Sequence, residues 1–185
     1  MYKIIEWDSK LDLTEFYSTA ASRGFANNSN QKSMIDCFRN EKKFNAWILY
    51  KKDRAIASVV AHSFDDVMGK DSYRVLSRCC VLDGARENFG LITPKRAIAE
   101  HQNITDQFLL PVCIDWAGKE NLYATSNASK IASQRLVHSI YFPTLAKIGI
   151  VEEIKDIHYR GTDQTVWKIN ADRFLENLQK YPRWI

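Results

Sequence analysis

The chain has 185 residues, 45% of them hydrophobic, enough to bury one sizeable core, so a single domain over residues 1–185 is expected. It contains no run of roughly 18 apolar residues of the kind a membrane helix needs, and Met1–Asp8 lacks the basic start and long apolar stretch of a signal peptide; a cytoplasmic protein without a membrane partner is expected. The net charge of +4 is spread along the chain, which suits an anionic ligand or a coenzyme's phosphates without selecting among them.

Residues 2–7 fit a first strand. Asp12 stands where a helix cap belongs, with Glu15 three residues on, and Leu13, Phe16, Tyr17, Ala20 and Ala21 follow at helical spacing until Gly24. A polar loop, 27–30, leads to a second short helix with Met34, Ile35 and Phe38 inward. Phe44–Tyr50 and Ala55–Phe64 read as strands joined by the tight turn Lys52-Asp53-Arg54, so they should pair antiparallel. Asp65–Asp71 reads as a turn around Gly69. The run from Tyr73 to Leu82 becomes continuously apolar toward its end, like a strand that starts at a sheet edge and finishes in the buried middle.

After a loop from Asp83 to Gly90, Thr93 and Pro94 can open a helix whose apolar stripe is Ile104, Phe108, Leu109, Val112 and Trp116, with a break near Asn103 or Pro111. Asn121–Ser126 is a short strand. Residues 129–148 follow helical spacing, with Ala132, Leu136, Ile140, Leu145 and Ile148 inward, Pro143 as a kink and Gly149 as the stop. Two strands, about 151–160 and 164–170, flank the turn Arg160-Gly161-Thr162-Asp163, and a last helix starts near Ala171.

Cys37, Cys79, Cys80 and Cys113 form no Cys-x-x-Cys, and the histidines at 62, 101, 138 and 158 are scattered, so free thiols and no metal site are expected. Cys79 and Cys80 are neighbours on a strand and should face opposite ways. A reactive thiolate needs a nearby cation, and alternation points Arg78 away from Cys79, which argues against a catalytic cysteine.

The element order β-α-α-β-β-β-α-β-α-β-β plus a terminal helix resembles the GNAT superfamily of acyl-CoA-dependent N-acyltransferases over nearly the whole chain. The hairpin Asp53-Arg54-Ala55-Ile56-Ala57, the helix end Leu145-Ala146-Lys147-Ile148-Gly149-Ile150 and Asn127 after the fifth strand carry the resemblance locally. It implies an α/β (α+β) fold: a mixed, mostly antiparallel sheet of about seven strands flanked by helices. It also implies acetyl-CoA as the coenzyme and an amine, on a small molecule or a protein, as acceptor. The coenzyme loop is divergent. Arg86 is present in Asp83-Gly84-Ala85-Arg86-Glu87-Asn88-Phe89-Gly90-Leu91, but Gly90 comes four residues later where the family usually has three, and the second small residue is missing.

On that resemblance the backbone of Cys80, Val81 and Leu82 would orient the thioester carbonyl. Arg86, Asn88, Phe89, Gly90 and Leu91 would meet the pyrophosphate, where glycine permits close approach and a helix start favours anions, and Asn127 would complete the coenzyme site. Tyr141 is the candidate acid for the leaving thiolate, although the family's usual position falls at Leu145. His62 is the candidate base. Asn27, Asn28 and Asp163 lie on loops that would flank the acceptor. Each has a plainer role: a core strand for residues 80–82, a packed Tyr and His, and turn chemistry for the loop residues.

Two other readings stay open. The chain can be a non-enzymatic protein that kept the scaffold, lost the coenzyme and contacts a macromolecular partner. His158, Tyr159, Arg160, Trp167, Lys168 and Tyr181-Pro182-Arg183-Trp184 interleave basic and aromatic residues as single-strand binders do, but strand aromatics are more often core, so nucleic acid is not the expected partner. Pairing of exposed last strands would allow a homodimer.

Overall fold

The computed structural model describes residues 1–22, 35, 38–82, 102–128 and 137–178, with the side chains of residues 78, 79 and 102–105 excepted. Strands β1 (Tyr2–Glu6), β2 (Phe44–Lys51), β3 (Arg54–Ser63), β4 (Arg74–Val81), β5 (Leu122–Ser126), β6 (Val151–Tyr159) and β7 (Thr162–Ile169) form one sheet in the order β1-β2-β3-β4-β5-β7-β6. Every pairing is antiparallel except β4 with β5. The expected mixed, mostly antiparallel seven-stranded sheet is therefore present. A helix has to carry the chain from the end of β4 back to the start of β5, because a parallel neighbour cannot be reached by a tight turn.

Both hairpins are tighter than their sequences suggest. Lys51 pairs with Arg54, so only Lys52 and Asp53 make the first turn, with Lys52 at φ 55°. Tyr159 pairs with Thr162, so Arg160 and Gly161 alone make the second, at φ 51° and 78°. Two successive positive φ values match the turn whose twist suits paired strands.

Helix α1 (Thr14–Ser22) packs Phe16, Tyr17 and Ala20, together with Ile35 and Phe38, against Ala46, Ile48, Val60, Cys80 and Leu82 on one face of the sheet. Asp12 does cap it, its carboxylate accepting the Thr14 N–H at 3.0 Å. The segment Asp65–Asp71 is more than a turn: Asp65–Met68 form a single helical turn, α2, closed by Gly69. The opposite face is covered by a π-helix (Gln102–Leu109) that runs into α3 (Leu110–Ala117), by a second π-helix (Val137–Tyr141) that runs into α4 (Phe142–Lys147), and by α5 (Ala171–Leu178). With helices on both faces, β3 is buried from Ile56 to Ser63. None of the described helices is long and apolar enough to cross a membrane.

The inward faces differ from the 3.6-residue reading. Leu109, Leu110, Cys113 and Ile114 are buried, while Phe108, Val112 and Trp116 are half-buried at the edge. In the next helix Tyr141, Phe142 and Leu145 are buried, Ile140 is half-buried and Ile148 is 50% exposed. Pro111 and Pro143 each stand in the first turn of the α-helical part, at its junction with the π-helix.

Gly149 ends α4 at φ 72°, with Ile150 N–H donating to the Leu145 carbonyl and Gly149 N–H to that of Ala146, both at 3.0 Å. A Cβ there would also meet the Arg173 guanidinium, which can swing aside. Gly149→Ala is therefore expected to cost about 1–2 kcal/mol, mainly as left-handed backbone strain. A fall in the urea midpoint at unchanged m-value checks it.

Candidate active site

The parallel ladder between β4 and β5 is short. It comprises Arg74 with Leu122, Val75 with Tyr123 and Leu76 with Ala124. Beyond those pairs β4 continues to Val81 and β5 to Ser126 with no rung between them, so the strands part after Leu76 and Ala124. A bulge contributes to the parting: from Val60 to Ser58 the partners on β4 step from Ser77 to Cys80, so β4 carries an extra residue. Leu82 N–H still donates to the Ile56 carbonyl at 2.6 Å. Strand alternation then turns the N–H and C=O of Val81 away from β3 and toward the gap, where no described strand pairs with them. The side chains of Cys80, Val81 and Leu82 are buried, so this stretch offers the gap its backbone.

On the α1 face, His62 on β3 and Ser77 on β4 are diagonal neighbours, since His62 stands opposite Val75. The His62 ring is fully buried. Its Nδ1 lies 3.0 Å from the Ser63 carbonyl oxygen, and its Nε2 lies 2.9 Å from Ser77 Oγ. A carbonyl only accepts, so Nδ1 carries the hydrogen and Nε2 accepts the Ser77 hydroxyl. Burial first, and then the positive charge of Arg160, hold the imidazole down at about 4. Phe38 packs on the ring with centroids 4.8 Å apart, and the Arg160 guanidinium sits 4.7 Å above Phe38. Arg160 also pairs with Glu41, whose carboxylate comes within 3.8 Å of His62 Nδ1. Ser58, directly opposite Cys80 on the same face, is buried with its hydroxyl unpartnered among the described residues.

The other face holds two more polar chains. The Tyr141 hydroxyl donates to the Asp106 carboxylate, 2.7 Å from Oδ1 and 2.8 Å from Oδ2, and both side chains are buried. Burial pushes Asp106 up to about 7 against the opposing effect of the Tyr141 hydrogen bond. Both residues sit in π-helical turns, an arrangement that recurs at functional sites. At the end of β5, Trp167 Nε1–H donates to Ser126 Oγ at 2.8 Å, and that oxygen lies 3.0 Å from His138 Nδ1. An indole only donates, so Ser126 is free to donate in turn to His138.

The two residues proposed from sequence for proton transfer, His62 and Tyr141, thus lie on opposite faces of the sheet. Residues 80–82 line the gap and Asn127 follows the end of β5, its amide 3.5 Å from the Thr162 hydroxyl. Asp163 is exposed and bonds His158 Nδ1 at 2.9 Å. Asn27, Asn28, Arg86, Asn88, Phe89, Gly90 and Leu91 lie outside the described residues. Sequence reasoning missed Ser77, Asp106 and Glu41. Asp106 gave a signal, an acid beside the apolar run Phe108-Leu109-Leu110. A cavity of about 480 Å³ lies near the start of β5, between Lys119, Gly149, Glu152 and Lys168, and shares no residue with the gap.

No family model matches the sequence, and no curated protein does. Solved structures do match in fold. The aminoglycoside acetyltransferase AAC(6')-Ib in complex with coenzyme A and kanamycin is 9% identical, with 95% of this chain and 98% of that one aligned at a TM-score of 0.59. The ribosomal-protein-S18-alanine N-acetyltransferase from Escherichia coli is 15% identical, over 92% and 94% of the two chains, with a TM-score of 0.54. A GNAT family acetyltransferase from Streptococcus agalactiae is 14% identical, over 91% and 95%, with a TM-score of 0.53. The fold is that of the GNAT acetyltransferases.

Proposed function

We propose that the protein is an N-acyltransferase that moves an acetyl group from acetyl-CoA to a primary amine. The observation that carries this reading is the parting of β4 and β5, with the Val81 backbone turned into the gap. An extended pantetheine arm needs a slot with unpaired backbone groups on its wall, and a thioester carbonyl there would find the Val81 N–H. The structural neighbours, one of them solved with coenzyme A, support the same assignment.

The chain's own groups divide by face. The backbone of residues 80–82 orients the carbonyl, and the 86–91 loop with Asn127 holds the coenzyme's polar half. The acceptor enters on the α1 face, where His62 lies beneath. Asn27 and Asn28 stay its candidate contacts, while Asp163 alternates with Thr162 and Gln164, shares its face with Trp167 and so projects from the opposite side. Attack of the amine nitrogen on the thioester carbon breaks the C–S bond, and the thiolate needs a proton. Tyr141 is suited to give it only when Asp106 is protonated, because the carboxyl proton then goes to the phenol oxygen and frees the phenol O–H. With Asp106 held at about 7, that form is well populated at neutral pH.

A thermal shift titration with acetyl-CoA tests the reading. A ligand at 100 times its Kd that binds only the folded protein stabilises it by about 2.7 kcal/mol, which for a chain of this size is a rise of roughly 5–10 °C. A saturable rise with acetyl-CoA, absent with ATP, is expected. No rise with any CoA compound would leave a GNAT scaffold without its coenzyme.

A further inference from the structure

We infer that Ser77, its hydroxyl polarised by His62, is the group that meets the acceptor amine and takes its proton. This rests on the transferase reading and names the proton acceptor within it. Three observations converge on Ser77. It is the first residue of β4 beyond the last rung to β5, so it stands at the mouth of the gap. It is half-buried, whereas His62 behind it is sealed from solvent. And its hydrogen-bond polarity is fixed from behind: the Ser63 carbonyl holds the hydrogen on Nδ1, which leaves Nε2 only the role of acceptor.

A serine whose proton is committed to an imidazole presents lone pairs to its other neighbours. Such an oxygen accepts an N–H and rejects a group that can only accept, so it selects an amine. As the amine nitrogen bonds to the thioester carbon, its N–H proton passes to Ser77 Oγ while the serine proton moves to His62 Nε2. The C–S bond breaks, and Tyr141 gives the departing sulfur its proton while the Asp106 carboxyl proton passes to the phenol oxygen. His62 then returns its proton through Ser77 to solvent and Asp106 takes one up, so the net transfer is one proton from nitrogen to sulfur with every group restored.

Burial and Arg160 disfavour an imidazolium at His62, and the nearby carboxylates offset part of that cost. Glu41 lies 3.8 Å from Nδ1, and Asp66 adds a further favourable charge. Arg160 opposes the positive ring and Tyr159 packs beside Arg160, so Glu41, held by Arg160, is the balancing group. Because the ring is neutral at every pH above about 5, the dyad is ready across the working range. His62 is accordingly a positioning residue and proton store, and Ser77 is the residue in contact with substrate.

The test uses the full-length protein with acetyl-CoA and three primary amines: kanamycin, spermidine and a peptide beginning with alanine. CoA thiol release is the readout, and the acetyl-CoA thermal shift is recorded for every variant. Ser77→Ala is expected to lower kcat/KM for the amine by about 100-fold, a usual size for loss of a general base, with the coenzyme shift unchanged. Ser77→Thr should recover most of the rate. The wild-type log(kcat/KM) should rise with pH to the amine's own pKa, with no inflection near 6.5. Wild-type rate in Ser77→Ala, no recovery in Ser77→Thr, or an inflection near 6.5 would overturn the assignment. So would intact coenzyme binding with transfer to none of the three amines. Absence of the coenzyme shift in the wild type would instead overturn the transferase reading, and this inference with it.

Discussion

Asp106→Asn is expected to make the protein more stable above pH 7, by up to about 4 kcal/mol, and to turn a nearly flat dependence of stability on pH between 4 and 6.5 into a rising one. The carboxyl is fully buried and moves from 3.8 to about 7 on folding. A carboxyl whose pKa is raised by folding is protonated in the native state while the unfolded chain has already released its proton. Its stability is therefore intact below about 3.8 and is lost as pH rises toward 7, at roughly 1.4 kcal/mol per pH unit. His62 has the opposite sign. Its pKa falls from 6.5 to about 4, so stability is full above 6.5 and falls by about 3 kcal/mol as pH drops to 4. Between pH 4 and 6.5 the two slopes nearly cancel. With Asn at 106 the amide oxygen still accepts the Tyr141 hydroxyl, nothing titrates there, and the rise from His62 stands alone. Urea unfolding at pH 5, 6.5 and 8 measures this. Equal stabilities of variant and wild type at pH 8 would show that Asp106 is not held protonated by burial.

The succession of strands along the chain came readily from the sequence because its determinants are local. Strand-like apolar runs on either side of the polar turn at Lys52-Asp53-Arg54 define the first hairpin, and the change from polar to apolar along Tyr73–Leu82 marks a strand entering the middle of a sheet. Helix faces were harder to read. Of the stripe Ile104, Phe108, Leu109, Val112 and Trp116, Leu109 is buried as expected, but Phe108, Val112 and Trp116 are half-buried and Leu110, Cys113 and Ile114 face inward instead, after residues 102–109 that bond with π spacing. Ile148 looked like the end of an apolar stripe, but it belongs to the turn set by Gly149 and faces solvent.

The site was less legible than the fold, for a reason of register. Ser77 is an ordinary polar residue in an apolar strand until β3 and β4 are aligned so that His62 faces Val75. A bulge near the same place shifts that alignment, and nothing in a single sequence announces a bulge at non-glycine residues. Asp106 and Tyr141 stand 35 positions apart. Their contact depends on two helices meeting over one face of the sheet, and composition carries no trace of that.

The second large effect concerns the backbone at Val81. Val81→Pro is expected to lower kcat by about 10²–10³-fold, the usual loss on removing one donor to a developing oxyanion. It should leave acetyl-CoA binding within a few-fold. Proline deletes one N–H, and at most strand positions that N–H belongs to the ladder. Here it does not, because Leu82 bonds β3 and Val81 turns the other way. The residue before a proline must be extended, and Cys80 already is, paired with Ser58. Val81→Ala is the control: it truncates a buried side chain but keeps the N–H, so it should cost stability with little loss of rate. Thiol release with the three amines and the coenzyme thermal shift separate the two losses. A proline variant that turns over like Val81→Ala would mean that the carbonyl is held elsewhere than on the parted edge of β4.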